Sequence, residues 1–188
     1  MPLDFSNLPE YVRSQMPFDL GVAPTTPTTN NYLGNNRFQF FLRRCPNLTH
    51  FCQRANIPTI SFGISLQSNP TGIAPIKRPG TAYTFDDITI GFFIDENMKN
   101  WIEIFDWMKS IGIYNTDNEV LPEHDKVSDA FMLITNSASI PILSIKFYNI
   151  FPILLTGVDF DSSLPDIDPV LATATFAFTH YEISTLNA

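Results

Sequence analysis

Residues 83–112 carry two hydrophobic periods in succession. From residue 85 to residue 92 large side chains alternate with small or polar ones, which is the period of a half-buried strand. Asp95 or Asn97 is predicted to cap a helix that follows, and Gly112 to end it. The apolar stripe of this helix recurs at three- and four-residue spacing: Met98, Trp101, Ile102, Phe105 and Met108.

The rest of the chain has mostly the pattern of β-strands. The first two of these strands are expected to pair around a turn at Pro46 and Asn47, and residues 69–82, rich in proline and glycine, to form a loop. With the strand at 85–92 this makes about eight strands and one helix. We therefore predict a mainly β fold, an antiparallel sandwich or barrel with one amphipathic helix packed on its side. The other predicted strands are residues 38–44, 50–55, 60–67, 130–136, 142–148, 154–160 and 170–183.

The predicted helix has a second apolar pair, Ile104 and Trp107, that lies off the main stripe. Apolar residues on two faces indicate a helix that is covered on more than one side, either by a thick core or by another subunit. Trp101, on the main stripe, is expected in the core. Trp107 is a candidate for a contact between subunits.

Residues 1–34 differ in composition from the rest of the chain. Prolines and threonines at residues 24–29 predict extended chain, and the spacing of Leu8, Tyr11 and Val12 allows a short helix before it. Apolar side chains are costly to leave in water, so we expect this arm to order on a neighbouring subunit rather than to remain disordered. The predicted organisation is an extended arm over residues 1–34 and a β domain over residues 35–188.

Charge is divided unevenly along the chain. The net charge of −8 argues against a protein that grips nucleic-acid phosphates. No acidic residue lies between Asp19 and Asp86, whereas acids outnumber bases from Asp86 onward. Such a split supplies complementary surfaces to a subunit that stacks on its neighbours, although pairing within one subunit would explain it equally well.

The sequence shows no pattern typical of catalysis or of a bound cofactor. The phosphate-binding loops and the nucleophile elbow are missing, and the three histidines lack metal-ligand spacing. Asp86 and Asp87 are adjacent, so on a strand they point to opposite faces and do not form an acid–base pair. The acidic run at 159–168 lacks the glycine and the closing glutamate of a calcium loop, so a hydrated turn is expected. Without an apolar run of about 18–20 residues, no membrane span is predicted. We expect no enzyme, no cofactor and no metal, and reduced thiols at Cys45 and Cys52.

Several segments together resemble the tail-tube superfamily of contractile-tailed bacteriophages. The central one is Thr84-Phe85-Asp86-Asp87, followed by a strand and by a helix that carries two tryptophans. Residues 36–40 resemble the family's first strand, residues 159–162 a turn of the family, and residues 173–181 its closing strand. The chain departs from the tube protein in its long arm before Asn35 and in the insert at 113–129, and the insert resembles the baseplate protein that starts the tube.

The resemblance implies a structural virion protein of the phage tail, assembled in the host cytoplasm. It would form hexameric rings that build or initiate the tube, with other tube, sheath or baseplate proteins as partners and DNA as a cargo that passes without sticking. Two alternatives stay open: a tube protein of a bacterial contractile secretion system, and a ligand-binding β-sandwich. A basic projection at Lys77 and Arg78 is expected to pair with the acidic insert of a subunit above or below. The candidate contacts between subunits are Lys77, Arg78, Asp86, Asp87, Trp107, Glu119, Glu123 and Asp125.

Overall fold

A computed structural model describes residues 31–68, 72, 74–112, 122–161, 163 and 168–186. The predicted arm at 1–34 lies almost wholly outside these residues, as does Glu119. The described part holds nine strands, two α-helices and one 3₁₀ turn, which confirms the mainly β fold with one long helix. In chain order they are β1 (Phe38–Leu42), α1 (Pro46–Phe51), β2 (Cys52–Ala55), β3 (Ile60–Gln67), β4 (Ile76–Phe85), β5 (Ile88–Phe93), α2 (Lys99–Ile111), the 3₁₀ turn (Glu123–Asp125), β6 (Ser128–Thr135), β7 (Pro141–Leu155), β8 (Leu171–Ala177) and β9 (His180–Thr185).

Seven of the strands form one antiparallel sheet, in the order β1-β6-β7-β8-β5-β2 with β9 added on β7. The fifteen-residue β7 serves both halves of this sheet. Its first part pairs with β6 and β9, and its last part, from Phe151, pairs with β8. Asn149 between them has a φ of 54°, which asparagine tolerates better than most residues, so the strand changes direction there. In the described residues β1 and β2 are the two ends of the path, and the sheet is open.

The segment between β1 and β2 differs from the sequence prediction. Instead of a strand at 50–55 paired with β1, the chain forms the short helix α1, while β1 pairs with β6 and β2 with β5. Pro46 occupies the start of α1, where its missing N–H is no loss. The helix buries Leu48 completely as the chain passes from one edge of the sheet to the other. Long-range burial therefore overrides the local strand pattern.

One buried cluster joins β1, β5, β6, β7, β8, α1 and α2. Its largest members are four phenylalanines, each at most 1% exposed. Burying such a side chain contributes roughly 1.5–3 kcal/mol, so these rings hold the two halves of the sheet together against α2. They are Phe40, Phe92, Phe147 and Phe176.

Helix α2 packs mainly through a face next to the predicted stripe. Ile104 and Trp107 are 0% and 2% exposed, whereas Ile102 and Phe105 of the stripe are 44% and 38% exposed. Trp101 and Met108 of the stripe pack against the core, so the predicted stripe meets the core only along one edge. Because both faces carry large apolar residues, helical spacing alone does not say which of them meets the sheet.

Helix α2 ends at the predicted Gly112, but its N-cap residue is Met98, with a φ of 55° and no capping side-chain hydrogen bond, instead of the predicted Asp95 or Asn97. The Asp95 carboxylate accepts a hydrogen bond from the Asn100 N–H at 3.2 Å, in the first turn of the helix. Asn100 is itself fully buried, and its side-chain amide donates to the Phe93 carbonyl at 2.7 Å. Gly112 follows the last turn, and its N–H donates to the Met108 carbonyl at 3.2 Å. Its φ of −94° shows that the helix ends in extended chain rather than in a left-handed turn.

Candidate assembly surface

Strands β3 and β4 form a two-stranded hairpin that makes no ladder with the larger sheet. Every residue of β3 is exposed, and β4 is exposed except at two half-buried positions. A lone two-stranded hairpin is at best marginally stable in water. This element therefore gains stability from any surface that covers it.

The register places most apolar side chains of the hairpin on one face, which also carries Lys77 opposite Leu66. Ile60 lies opposite Phe85, Phe62 opposite Tyr83 and Ile64 opposite Pro79, and residues paired across strands share a face. The exposed side chains are 52–63% accessible to solvent. We call this surface the apolar hairpin face; its members are Ile60, Phe62, Ile64, Leu66, Pro79 and Tyr83.

The other face of the hairpin is held by polar contacts. The hydroxyls of Ser61 and Thr84 hydrogen-bond across the strands at 2.6 Å, and the Arg78 guanidinium donates to the side-chain oxygen of Gln67. Polar groups are therefore satisfied on one face while apolar groups remain uncovered on the other. This asymmetry is typical of a surface that is buried by association.

A close approach of two glycines shapes the middle of the hairpin. The ladder shifts register between Phe62 and Ile64, and Gly63 and Gly80 face each other at this bulge. A Cβ placed on Gly80 would lie 2.6 Å from the carbonyl oxygen of Gly63. Only glycine permits this spacing, so the bend of the hairpin depends on residue 80.

An aromatic cluster fixes the base of the hairpin to the larger sheet. The Phe85 ring centre lies 5.1 Å from that of Tyr181 and 5.8 Å from that of Phe178. The Tyr181 hydroxyl donates to the Pro58 carbonyl at 3.4 Å, and the Asp86 N–H donates to the Thr59 carbonyl at 3.0 Å. The hairpin therefore leaves the sheet in a defined direction.

The predicted basic projection lies on this hairpin, but not in a loop. Lys77 and Arg78 belong to β4, where the sequence predicted a loop, and they point to opposite faces. Pro79 favours a loop in the sequence because proline has no N–H to donate to a strand ladder. Strand β4 accepts it because one of its edges is unpaired within the hairpin. Asp86 and Asp87 are exposed at the base of the hairpin, between β4 and β5.

The remaining predicted contact residues are scattered. The prediction for Trp107 was wrong. Its side chain is buried in the core of its own subunit, with its ring centre 6.2 Å from that of Phe176, so it is not available to another subunit. Glu123 begins the 3₁₀ turn. Asp125 ends that turn and lies 3.4 Å from the His124 ring nitrogen, and its backbone carbonyl accepts a hydrogen bond from Arg44. The structure thus brings Asp125 to Arg44 and not to Lys77.

A second, partly exposed apolar surface lies on α2, along the stripe that helical spacing had indicated as its main apolar face. Trp101 and Phe105 stack with ring centres 5.4 Å apart, and the Trp101 N–H donates to the Thr156 carbonyl at 3.1 Å. Together with Met108, Leu155 and Gly157 they line a groove of about 430 Å³. The signal was present in the sequence as two apolar helix faces, of which one had to remain outside.

The two cysteines of the chain are both unreactive near neutral pH. Burial raises the pKa of the Cys45 thiol to about 12 and that of Cys52 to about 11, so neither is a thiolate near neutral pH. Both are free cysteines. Among the described residues no three His, Cys, Asp or Glu side chains are grouped to hold a metal ion. Nor does any helix in that part of the chain have the length and apolarity needed to cross a membrane.

Comparison with known proteins gives concordant results. A family model described as phage tail tube protein matches residues 14–184. The tail tube terminator protein of Enterobacteria phage T4 is 29% identical over 133 residues, which covers 70% of this chain and 75% of that protein. The tube terminating cap of the anti-feeding prophage has a similar fold, with a TM-score of 0.57 at 18% identity over 84% of this chain and 94% of that one. A sheath–tube complex of an extracellular contractile injection system matches with a TM-score of 0.56, 18% identity and the same coverage.

Proposed function

Because the chain belongs to the phage tail tube family, we propose that it assembles into a hexameric ring that closes the end of the tube in a contractile tail. Family membership agrees with the resemblance seen in the sequence. The observation that carries assembly is the apolar hairpin face, which stays uncovered in a single subunit.

The energy available from this face is large enough to matter. Full burial of an Ile, Leu or Phe side chain contributes roughly 1.5–3 kcal/mol, and five such or similar side chains are about half exposed here, which gives on the order of 4–8 kcal/mol per subunit. Association costs each subunit translational and rotational freedom. In a closed ring each subunit loses that freedom once, and the last subunit to join forms two contacts at the same time. The free energy gained by burying the apolar hairpin face therefore supports assembly.

The position at the end of the tube is supported by the relative in phage T4, which is a tail tube terminator protein. A terminator needs one surface that matches the last ring of the tube. We infer that the assembled ring presents such a surface outside the apolar hairpin face, and that sheath or other tail proteins contact the remaining surface.

We further infer a structural role without catalysis, in the tail of the virion. The high pKa values of the two thiols and the structural nature of the family support this. The net charge of −8 would favour passage of DNA through the ring without binding, since like charges repel.

The alternative is a ring in a contractile injection system that carries no genome. The fold similarity to the anti-feeding prophage cap and to the sheath–tube complex of an injection system supports this class equally well. Both alternatives share the ring and the tube end. Purified native particles distinguish them, because only a phage particle contains packaged DNA.

The test of the proposed function combines purified chain with the tube protein of the same tail. We expect rings by negative-stain electron microscopy, and gold-labelled chain only at tube ends, with tubes shorter than in its absence. Ile64→Asp should abolish both results, because it places a charge on the apolar hairpin face. Ile140→Asp is the matched control, since Ile140 is 45% exposed but lies outside the hairpin. A monomer at every concentration, with and without tube protein, would contradict the proposal.

A further inference from the structure

A polar cleft of about 500 Å³ lies where β1 ends and β7 changes direction. Arg43 and Arg44 come from the end of β1, and the 3₁₀ turn and β6 supply the opposite wall. Both positive and negative side chains line the cleft, so the ion pairs among them decide which charge the cleft offers to a ligand. Its lining residues are Arg43, Arg44, His124, Asp125, Val127, Ser128, Asp129 and Asn149.

Within the described residues, each carboxylate of this cleft lies beside a basic side chain, whereas neither guanidinium group lies beside a carboxylate. Asp129 lies 3.6 Å from the Lys146 ammonium, and Asp125 lies 3.4 Å from the His124 ring. The Arg44 guanidinium lies 5.3 Å from the centre of the Trp107 ring and donates to a backbone carbonyl. Arg43 is exposed, and within the described residues its guanidinium has no ion pair. The cleft therefore offers two positive groups to an incoming carboxylate.

An acidic projection follows the C-terminal end of β7. Asp159, Phe160 and Asp161 are exposed, and Phe160 has 76% of its surface in solvent. The Ser163 hydroxyl and N–H donate to Asp161 at 2.6 Å and 2.9 Å, and these bonds lower the pKa of the Asp161 carboxyl. The tip thus presents an aromatic ring between two carboxyl side chains.

The distance along β7 keeps these two features apart in one chain. The strand runs from Asn149 at the cleft to Leu155, just before the acidic tip. At about 3.3 Å per extended residue, residues 149 and 157 are about 26 Å apart. The three or four residues beyond Gly157 span about 13 Å at most, which is too short to return to the cleft. The tip can therefore reach such a cleft only on another copy of the chain.

We propose that the Asp159-Phe160-Asp161 tip of one copy binds in the Arg43–Arg44 cleft of the next copy. Carboxylates accept paired hydrogen bonds from guanidinium groups, and an aromatic ring stacks on the guanidinium plane. Because the two features are different surfaces that lie apart along β7, the contact is head-to-tail and gives the assembly a direction. This inference rests on the proposed function, in that copies of the chain assemble, and it assigns an interface that is separate from the apolar hairpin face.

The test uses two charge reversals, Arg43→Glu and Asp159→Arg, in the full chain. Each alone places like charges across the contact, so we expect assembly to require about tenfold higher concentration or more in sedimentation velocity. The double variant Arg43→Glu/Asp159→Arg should assemble again. An equimolar mixture of the two single variants should also assemble, in alternating order, because each cleft then meets a tip of opposite charge.

Controls separate this contact from general charge effects and from misfolding. Arg37→Glu makes the same charge change at a guanidinium that contacts Ser139 outside the cleft, and it should assemble like the wild type. Thermal unfolding monitors the fold of every variant, and Arg43→Gln replaces Arg43→Glu if the latter unfolds.

Four outcomes would overturn the inference. If both single variants assemble like the wild type, the contact does not exist, although the proposed function still stands. If the double variant recovers and the mixture does not, the charges pair within one chain. If assembly of Arg43→Glu is restored neither in the double variant nor in the mixture, the cleft takes another ligand, such as nucleic-acid phosphate. If the wild type itself never assembles, the proposed function falls together with this contact.

Discussion

The indole N–H of Trp107 donates a hydrogen bond to the backbone carbonyl of Lys126, 2.9 Å away. This contact ties the middle of α2 to the chain that leads into β6. The same ring lies beneath the Arg44 guanidinium on one side and beside Phe176 on the other. Trp107 therefore connects the core to the basic cleft, although it is itself almost completely buried.

Trp107→Ala should destabilise folding rather than assembly. Removing a buried tryptophan costs about 3–5 kcal/mol, through lost burial and the cavity that remains. Trp107→Phe keeps most of the ring but leaves the Lys126 carbonyl without this donor, for about 1–3 kcal/mol. Urea unfolding of both variants measures these losses. Trp101→Ala is the comparison, and because Trp101 is only half-buried it should cost less than Trp107→Ala.

Asn100→Ala should destabilise the start of α2. The Asn100 side chain is fully buried, donates to the Phe93 carbonyl at 2.7 Å and accepts from the Asp95 N–H at 3.3 Å. Its removal leaves these two groups unsatisfied, at about 1–3 kcal/mol each. Hydrogen exchange at the first turn of α2 should increase together with the loss in urea stability. An unchanged exchange rate there would show that water replaces the side chain. Lys99→Ala, at an exposed neighbouring position, is the control.

The sequence predicted those elements whose pattern is set by local alternation, such as β1, β3 and β5. It did not predict α1 or the unbroken run of β7 through Asn149, because pairing with distant strands decides these. The alternation of Ile60, Phe62 and Ile64 was visible as a strand, but its exposure follows from the absence of a third strand beside the hairpin. Likewise, Arg44 and Asp125 are 81 residues apart, and nothing local indicates that they meet.

Stability should fall with rising pH above about 9, and Cys45 should account for part of the fall. Burial, and then the nearby Glu103 charge, raises the pKa of Cys45 from 9.0 to about 12. Between these values the unfolded thiol loses its proton and the folded thiol keeps it, so the folded state binds more protons and becomes less favoured as pH rises. One such group contributes at most about 1.4 kcal/mol per pH unit.

Urea unfolding of the wild type and of Cys45→Ala at pH 8 and pH 10.5 tests this dependence. Other groups also titrate in this range, so the difference between the two proteins is the relevant quantity. The variant should lose stability less steeply than the wild type. Parallel losses in the two proteins would show that the Cys45 thiol is accessible to water. Alkylation of the native wild type at pH 8 should be slow for the same reason.

Gly80→Ala should abolish ring formation while leaving the body of the protein folded. An added Cβ would lie 2.6 Å from the Gly63 carbonyl oxygen and 2.8 Å from its carbon, and both are backbone atoms that cannot rotate away. The two strands of the hairpin must then separate or change register, which displaces Ile64 and Leu66 from the apolar hairpin face. Since the hairpin makes no ladder with the larger sheet, the main unfolding transition should shift little. Gly157→Ala, where an added Cβ meets no atom within 4 Å, is the matched control for loss of a glycine. Rings counted by negative-stain microscopy, together with thermal unfolding, distinguish the two effects, and rings at wild-type abundance in Gly80→Ala would show that assembly does not use the hairpin.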